Sequence, residues 1–293
     1  MEWLQVSVTV DGEIAEAVAD VMSRFAPGGV AIEVQGERIP LTGGTATVKA
    51  YLPSGPDTTR VQKKVEEALW HLGQISPIPE PSFSTVAEED WADAWKEHFY
   101  PVRIGERIVV KPTWREFEAA PGDVILELDP GMAFGTGLHP TTQMCLLALE
   151  ERIEPGMCVL DLGTGSGILA LAAAKLGAAA VLALDTDPVA VTAAQENVRR
   201  NGVAERVTVV HGSLNHVADT YDLVVVNILA KVIVALAGEG LAERVKPRGG
   251  WVAAGIIEPQ VGEVVAALEA AGLQVTARRQ ISDWVTLIGK KPG

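Results

Sequence analysis

Cysteine is scarce, because the 293 residues include only Cys145 and Cys158. Both stand among apolar neighbours and lack the spacing of a disulfide framework or a zinc site. The five histidines likewise show no ligand spacing with one another. We therefore expect two reduced thiols and a chemistry that uses no metal.

Positive charge is also in short supply, since 24 lysines and arginines face 38 acidic residues and leave a formal net charge of -14. That balance disfavours direct binding to the phosphates of RNA or DNA. Residues 1–100 are the more acidic end, with 16 acidic and 7 basic side chains. Solubility and recognition of a basic partner both account for this acidity, and the sequence leaves the choice open.

No uninterrupted apolar run of membrane length is present. The longest, Ile168 to Leu184, contains Lys175 and Gly177 and ends at an aspartate. The start, Met1-Glu2-Trp3, lacks the basic region of a secretory signal, so we expect a cytoplasmic protein. With 48% hydrophobic residues, the length accommodates two folded domains.

Residues 1–86 predict a small α+β domain with the order βαββαβ of a ferredoxin-like sandwich. The predicted elements are Gln5–Val10, Ile14–Phe25, Val30–Val34, Thr45–Tyr51, Thr58–Leu72 and Ser82–Val86. Residues 87–100 predict a helical linker, in which Trp91, Trp95 and Phe99 form one stripe. This stripe either packs against a domain or marks a hinge.

Residues 101–293 alternate strands and helices, the pattern of a mostly parallel sheet with helices on both faces. One continuous helix is predicted from about Ala230 to Val245. The last two strands, near Leu273–Gln280 and Trp284–Gly289, are too close in sequence for a parallel crossover. We therefore expect an antiparallel hairpin at one edge of the sheet.

The most specific motif is a glycine loop, Asp161-Leu162-Gly163-Thr164-Gly165-Ser166-Gly167, between a predicted strand and helix. Gly163, Gly165 and Gly167 permit a tight turn that brings main-chain N–H groups at a helix N-terminus close to a ligand. This indicates a nucleotide-like cofactor. The spacing departs from the dinucleotide fingerprint, which would place a glycine at Ile168, and no P-loop motif occurs.

Two polar residues end neighbouring strands of the same predicted sheet. Asp185 follows Gly163 by twenty-two residues, where a carboxylate accepts the hydroxyls of a ribose. The other interpretation of Asp185 is a turn or helix-capping residue, because Asp187-Pro188 follow. Asn227 ends the fourth strand, at the edge where such sheets bind ligands.

These features resemble Rossmann-like methyltransferases that use S-adenosylmethionine. Two further segments narrow the likeness: Asp129-Pro130-Gly131-Met132-Ala133-Phe134-Gly135-Thr136-Gly137 with His139-Pro140-Thr141-Thr142, and Asn227-Ile228-Leu229-Ala230. Nearly end to end, the chain resembles the bacterial methyltransferases of ribosomal protein L-eleven (L11), the PrmA family. The resemblance implies a ferredoxin-like domain that holds this basic substrate, and a larger domain that transfers methyl groups from S-adenosylmethionine to lysine side chains and the N-terminal α-amine.

The resemblance also assigns residues. The positions that match the family's cofactor contacts, together with the rest of the glycine loop, are Thr142, Gly163, Gly165, Gly167, Asp185 and Asn227. Phe134 and Thr136, in the loop that ends at Gly137, are expected to close over the cofactor and the reacting amine. With Asn227, they are the catalytic candidates. Neither a membrane nor nucleic acid is an expected partner.

Three alternatives stay open. Another protein lysine methyltransferase of this build, acting for example on an electron-transfer flavoprotein, differs only in its substrate. A nicotinamide-dependent oxidoreductase binds NAD, which the glycine spacing disfavours. A non-catalytic ribosome-assembly factor keeps the fold without methyl transfer, which the intact glycine loop, Asp185 and Asn227 disfavour.

Overall fold

The structure is a computed structural model. It describes residues 2–12, 14–23, 25–26, 30–34, 45–53, 55, 58–73, 77–87, 100–129, 137 and 139–293. The chain divides into two compact units, of which the first is Met1–Val102 with Lys111–Phe117 and Asp129–Phe134, and the second is Arg103–Val110 with Glu118–Leu128 and Gly135–Gly293. Of the predicted linker, only Ala87 and Tyr100 are among the described residues.

The first unit consists of one sheet and two helices. In chain order its elements are β1 (Glu2–Asp11), α1 (Ala15–Ser23), β2 (Val30–Val34), β3 (Thr45–Pro53), α2 (Thr58–Leu72) and β4 (Ser82–Ala87). All neighbouring strands pair antiparallel, in the order β2-β3-β1-β4. This is the ferredoxin-like arrangement that the sequence predicts.

Alternation along β1 creates the core of this unit. Val6, Val8 and Val10 are at most 3% exposed, while the intervening residues are more exposed. These valines pack with buried residues of the two helices, among them Met22 and Leu69. Each buried aliphatic side chain of this kind stabilises the fold by about 1.5–3 kcal/mol.

A short sheet, β5-β6-β7, precedes the second, larger sheet. Its strands are β5 (Val102–Ile104), β6 (Ile108–Lys111) and β7 (Val124–Glu127). The elements that follow are α3 (Pro140–Arg152), β8 (Cys158–Leu162), α4 (Ile168–Leu176), β9 (Ala180–Asp185), α5 (Pro188–Arg200), β10 (Val207–His211), β11 (Tyr221–Asn227), α6 (Ala230–Gly238), α7 (Leu241–Arg244), β12 (Val245–Ile257), α8 (Val261–Ala270), β13 (Gln274–Ile281) and β14 (Trp284–Lys290).

The larger sheet has seven strands in the order β10-β9-β8-β11-β12-β14-β13. The five strands from β10 to β12 pair parallel, and β14 pairs antiparallel with both β12 and β13. The predicted α/β fold and its antiparallel edge hairpin are thereby confirmed. From β8 the chain proceeds outward to β9 and β10, then returns to β11 on the other side, so a ligand crevice is expected between β8 and β11.

The centre of this sheet is buried on both faces, as parallel strands require. Val159 to Leu162 of β8 are all buried, and α4 presents alanines that are wholly inaccessible, such as Ala172 and Ala173. These small side chains allow α4 to pack closely between its neighbours. The strand ends are therefore held rigidly where the glycine loop begins.

The predicted helix from Ala230 to Val245 is wrong in one respect, because it is two helices. The first ends with Glu239 as its C-cap, and Gly240 then takes the left-handed conformation at φ 100°. A glycine in this conformation terminates a helix, and α7 starts a new one.

Among the described residues, no helix is long and apolar enough to cross a membrane.

Candidate functional site

The glycine loop connects the end of β8 to the start of α4. Gly163, Gly165 and Gly167 have φ angles of 74°, 55° and 85°, a region that costs other residues about 1–2 kcal/mol. Gly163 has a second reason to be glycine, because a Cβ atom there would collide with Cγ2 of Ile228. The loop therefore offers bare backbone to a ligand.

Hydrogen bonds tie this loop to the neighbouring strand β9. The N–H groups of Gly163 and Thr164 both donate to the carbonyl oxygen of Leu184, at 2.8 and 2.9 Å. Farther along, the side-chain amide of Asn197 donates to the carbonyl oxygen of Ser166 at 2.8 Å. The backbone of the loop is thus preorganised before any ligand binds.

Asp185 lies half-buried at the end of β9, beside the loop. Its Oδ2 accepts the N–H of Gly165 at 2.9 Å, and its Oδ1 accepts the N–H of Asp187 at 3.0 Å. Asp187, not Asp185, is the N-cap of α5, since its carboxylate accepts the N–H of Val189. Each oxygen of Asp185 retains acceptor capacity, which suits the paired hydroxyls of a ribose.

Asn227 and Thr142 meet on the other side of β8. Asn227 ends β11, and its Nδ2 donates to Oγ1 of Thr142 at 3.4 Å. Thr142 lies in the first turn of α3 and is 1% exposed. Because β9, β8 and β11 are neighbours, the structure places Asp185, the glycine loop and the Asn227–Thr142 pair along one edge of the sheet.

His139 starts the helix that positions Thr142. It is the N-cap of α3, where its Nδ1 accepts the N–H of Thr141 at 3.2 Å, and its ring packs edge-on against Trp284 at 4.6 Å. Burial lowers the pKa of the imidazole to about 3, so the ring is neutral.

Within the part of the chain that the structure describes, no three His, Cys, Asp or Glu side chains are grouped as metal ligands.

Asp161 is a buried acid at the start of the glycine loop. The sequence alone assigned no role to it. It is 1% exposed, and its Oδ2 accepts the hydroxyl of Thr164 at 2.7 Å. Its Oδ1 has no hydrogen-bond partner among the described residues. Burial raises the pKa of this carboxyl group to about 7, with a smaller contribution from the charge of Asp185, although the hydrogen bond from Thr164 opposes the change. The position inside the motif was the available signal for Asp161, whereas nothing in the sequence singled out Asn197.

The predicted closing loop is only partly described. Phe134 and Thr136 lie outside the described residues, so their catalytic role stays a prediction. Gly137 is described and has a φ of 91°. A Cβ atom there would lie 3.2 Å from both Val110 and Ile168, so a larger residue would need both neighbours to shift.

The sheet order, the edge hairpin and the glycine loop are those of a Rossmann-like methyltransferase. A family model described as "Ribosomal protein L11 methyltransferase (PrmA)" matches residues 2–292. The chain belongs to this family of protein methyltransferases. The resemblance inferred from the motifs is therefore confirmed.

Individual relatives are similar in sequence to this chain over nearly their whole length. The chain is 45% identical to a ribosomal protein L11 methyltransferase of Chloroflexus aurantiacus, covering 99% of this chain and 98% of that protein. It is 46% identical to one of Pelotomaculum thermopropionicum, covering 99% of each. A crystal structure of ribosomal protein L11 methylase from Lactobacillus delbrueckii subsp. bulgaricus is 32% identical with a TM-score of 0.62, covering 67% of this chain and all of that one. These names give no support to a flavoprotein substrate.

Proposed function

We propose that this protein methylates ribosomal protein L11 in the cytoplasm, at lysine side chains and at the N-terminal α-amino group. Membership of the family over residues 2–292 is the observation that carries the proposal. In this proposal, residues 1–86 recognise the substrate, residues 87–100 link the domains, and residues 101–293 transfer the methyl group. The basic character of ribosomal proteins also gives the acidic N-terminal third a use, because complementary charge speeds association.

The methyl donor proposed is S-adenosylmethionine, and the site fits it. The glycines of the loop let a ligand approach its backbone closely, and the N-terminus of α4 next to it suits a polar group of that ligand. The carboxylate of Asp185 suits the ribose hydroxyls of the adenosine. We assign the cofactor contacts to Thr142, Gly163, Gly165, Gly167, Asp185 and Asn227.

Bound there, S-adenosylmethionine supplies a methyl carbon that its sulfonium already activates. The task left to the protein is alignment of the amine with that carbon, and no charged base is needed. Asn227 suits this task, because its Nδ2 donates a hydrogen bond to Thr142 while its Oδ1 can accept one from the amine. Such a bond orients the nitrogen lone pair. Phe134 and Thr136 are proposed to exclude water around the reacting groups.

The reacting amine must be neutral, although a lysine side chain has an ordinary pKa of about 10.4. Apolar side chains beside Asn227 disfavour the ammonium form, which lowers that pKa. Val226 before Asn227 and Ala230 after it are both buried. We propose that this environment, and not a dedicated base, delivers the free amine.

Titration calorimetry tests the choice of cofactor. The wild type is expected to bind S-adenosylmethionine and not NAD. Asp185→Asn should weaken binding by about tenfold, because it removes a charged acceptor. Asp187→Asn is the matched control, since it changes a helix cap and leaves the affinity unchanged. NAD binding, or an equal loss in both variants, would contradict the assignment.

Product analysis tests the reaction itself. S-adenosylhomocysteine should form when unmethylated ribosomal protein L11 is added, and not when an electron-transfer flavoprotein replaces it. Binding of the cofactor with no turnover on ribosomal protein L11 would retain the fold and overturn the substrate.

A further inference from the structure

A groove of about 840 Å³ runs along the first unit, between α2 and the segment 77–81. Ile78, Pro79 and Pro81 contribute its apolar surface, and Trp70 stands beside them with 62% of its surface exposed. The segment 77–81 contains prolines at positions 77, 79 and 81. Because proline fixes φ, this side of the groove is a stiff wall.

Helical spacing explains why α2 serves both the core and the groove. Val65 and Leu69 are buried in the core of the unit. Glu66, Glu67 and Trp70, three and four residues apart, lie together on an adjoining stripe that lines the groove. The helix therefore keeps a complete core-facing stripe and still presents a tryptophan beside two carboxylates.

The charge of the groove is negative. Glu66, Glu67 and Glu80 line it and are exposed, and Lys63 is the one cation among the described residues that line it. The indole ring of Trp70 contacts the ring of His71 edge-on at 5.1 Å, and the residue is still 62% exposed. Such an indole next to carboxylates is suited to a lysine or arginine side chain, which combines a cation–π contact with an ion pair. Tryptophan is also the residue type most enriched at the energetic centres of interfaces.

We infer that this groove docks a basic segment of the protein substrate, with a lysine or arginine of that segment over Trp70. Charge complementarity identifies the occupant, because a negative groove attracts a basic segment, whereas two copies of a chain with a net charge of -14 repel each other. The inference rests on the proposed function and deepens it, since it assigns substrate recognition to one surface of the first unit.

Affinity and steady-state measurements on Trp70 variants test this docking surface. Trp70→Ala should raise the Kd for ribosomal protein L11, and the KM for it, by about tenfold. Its kcat and its Kd for S-adenosylmethionine should stay unchanged. Trp70→Phe, which keeps an aromatic face, should recover most of the loss. Equal values for the wild type and Trp70→Ala would overturn the inference.

Charge reversal supplies a second, independent arm. The double variant Glu66→Lys with Glu67→Lys should raise the KM more at low salt than at high salt, because screening weakens the lost attraction. The double variant Glu205→Lys with Glu269→Lys, at two exposed positions of the second unit, makes the same change in charge as a matched control and should have no effect. A salt-independent change, or the same change in the control, would count against electrostatic docking.

The outcomes separate the two proposals. Turnover in the wild type that the groove variants leave unaltered overturns the groove and retains the function. Binding that the variants weaken, without methyl transfer in the wild type, retains the groove and overturns the function. A photoreactive phenylalanine analogue at position 70 should cross-link to ribosomal protein L11. Cross-linking to a second copy of this chain instead would show that the groove is a dimer contact and overturn the inference.

Discussion

Replacement of Asp161 by asparagine tests the electrostatics of the glycine loop. Burial raises the pKa of this carboxyl group to about 7 in the folded protein, whereas an unfolded chain gives an aspartate its ordinary value of about 3.9. Between these values the folded state holds a proton that the unfolded state has released. Raising the pH through this window therefore destabilises the fold, and above about pH 7 the penalty is complete.

The expected size follows from the displacement of the pKa. The folded pKa of about 7 lies roughly three above the unfolded value, and at about 1.4 kcal/mol per pH unit this gives a penalty on the order of 4 kcal/mol at pH 8. About 2–3 kcal/mol of this should develop between pH 5 and pH 8. Asp161→Asn cannot ionise, so its free energy of unfolding should gain on the wild type by that amount over the same interval.

Urea unfolding at pH 5, 6.5 and 8 measures this gain. Any fixed cost of placing an amide beside Thr164 is the same at each pH, so the change in the difference between the two proteins is the quantity of interest. Glu205→Gln, an exposed acid in a turn, controls for the loss of one charge. A difference between wild type and Asp161→Asn that stays constant across the three pH values would show that Asp161 does not titrate in this range, against the prediction.

Two further predictions concern the frame of the site. His139→Gln should remove a loss of about 2 kcal/mol that the wild type suffers between pH 7 and pH 5. The folded pKa of that imidazole is lowered to about 3, so only the unfolded chain gains a proton as the pH falls. In a second pair, Gly163→Ala should abolish binding of S-adenosylmethionine, because its Cβ atom collides with Ile228. Gly202→Ala, at a φ of 68° with open space around it, should cost about 1 kcal/mol of stability and leave binding intact. Thermal unfolding measures the stability of these variants, and titration calorimetry measures their affinity for S-adenosylmethionine. Equal effects of the two glycine variants on that affinity would show that backbone strain alone matters.

Much of the fold could be predicted because the strongest patterns were local. The run β8-α4-β9-α5-β10 alternates apolar strands with helices, and glycine or proline stands where the helices begin. These signals locate the elements directly. The break after Gly238 was missed, since a glycine within a helical pattern is often tolerated. Only the left-handed conformation of Gly240 shows that the helix stops there.

The site was predictable where a motif names a residue type, and not where packing decides. Asp185 and Asn227 stand at strand ends, so the parallel sheet brings them to one edge without further information. The burial of Asp161 and the hydrogen bond from Asn197 to Ser166 depend on neighbours distant in sequence. A single sequence carries no direct signal for such contacts.

Intact-mass analysis of ribosomal protein L11 shows whether this protein methylates it and whether Asn227 orients the amine. The purified enzyme would be incubated with S-adenosylmethionine and unmethylated ribosomal protein L11, beside Asn227→Ala. The account predicts mass gains in steps of one methyl group with the wild type, and at least about a hundredfold slower gains with the variant, because the amine loses its orienting acceptor. An unchanged mass with the wild type, or equal rates for the two proteins, would contradict it.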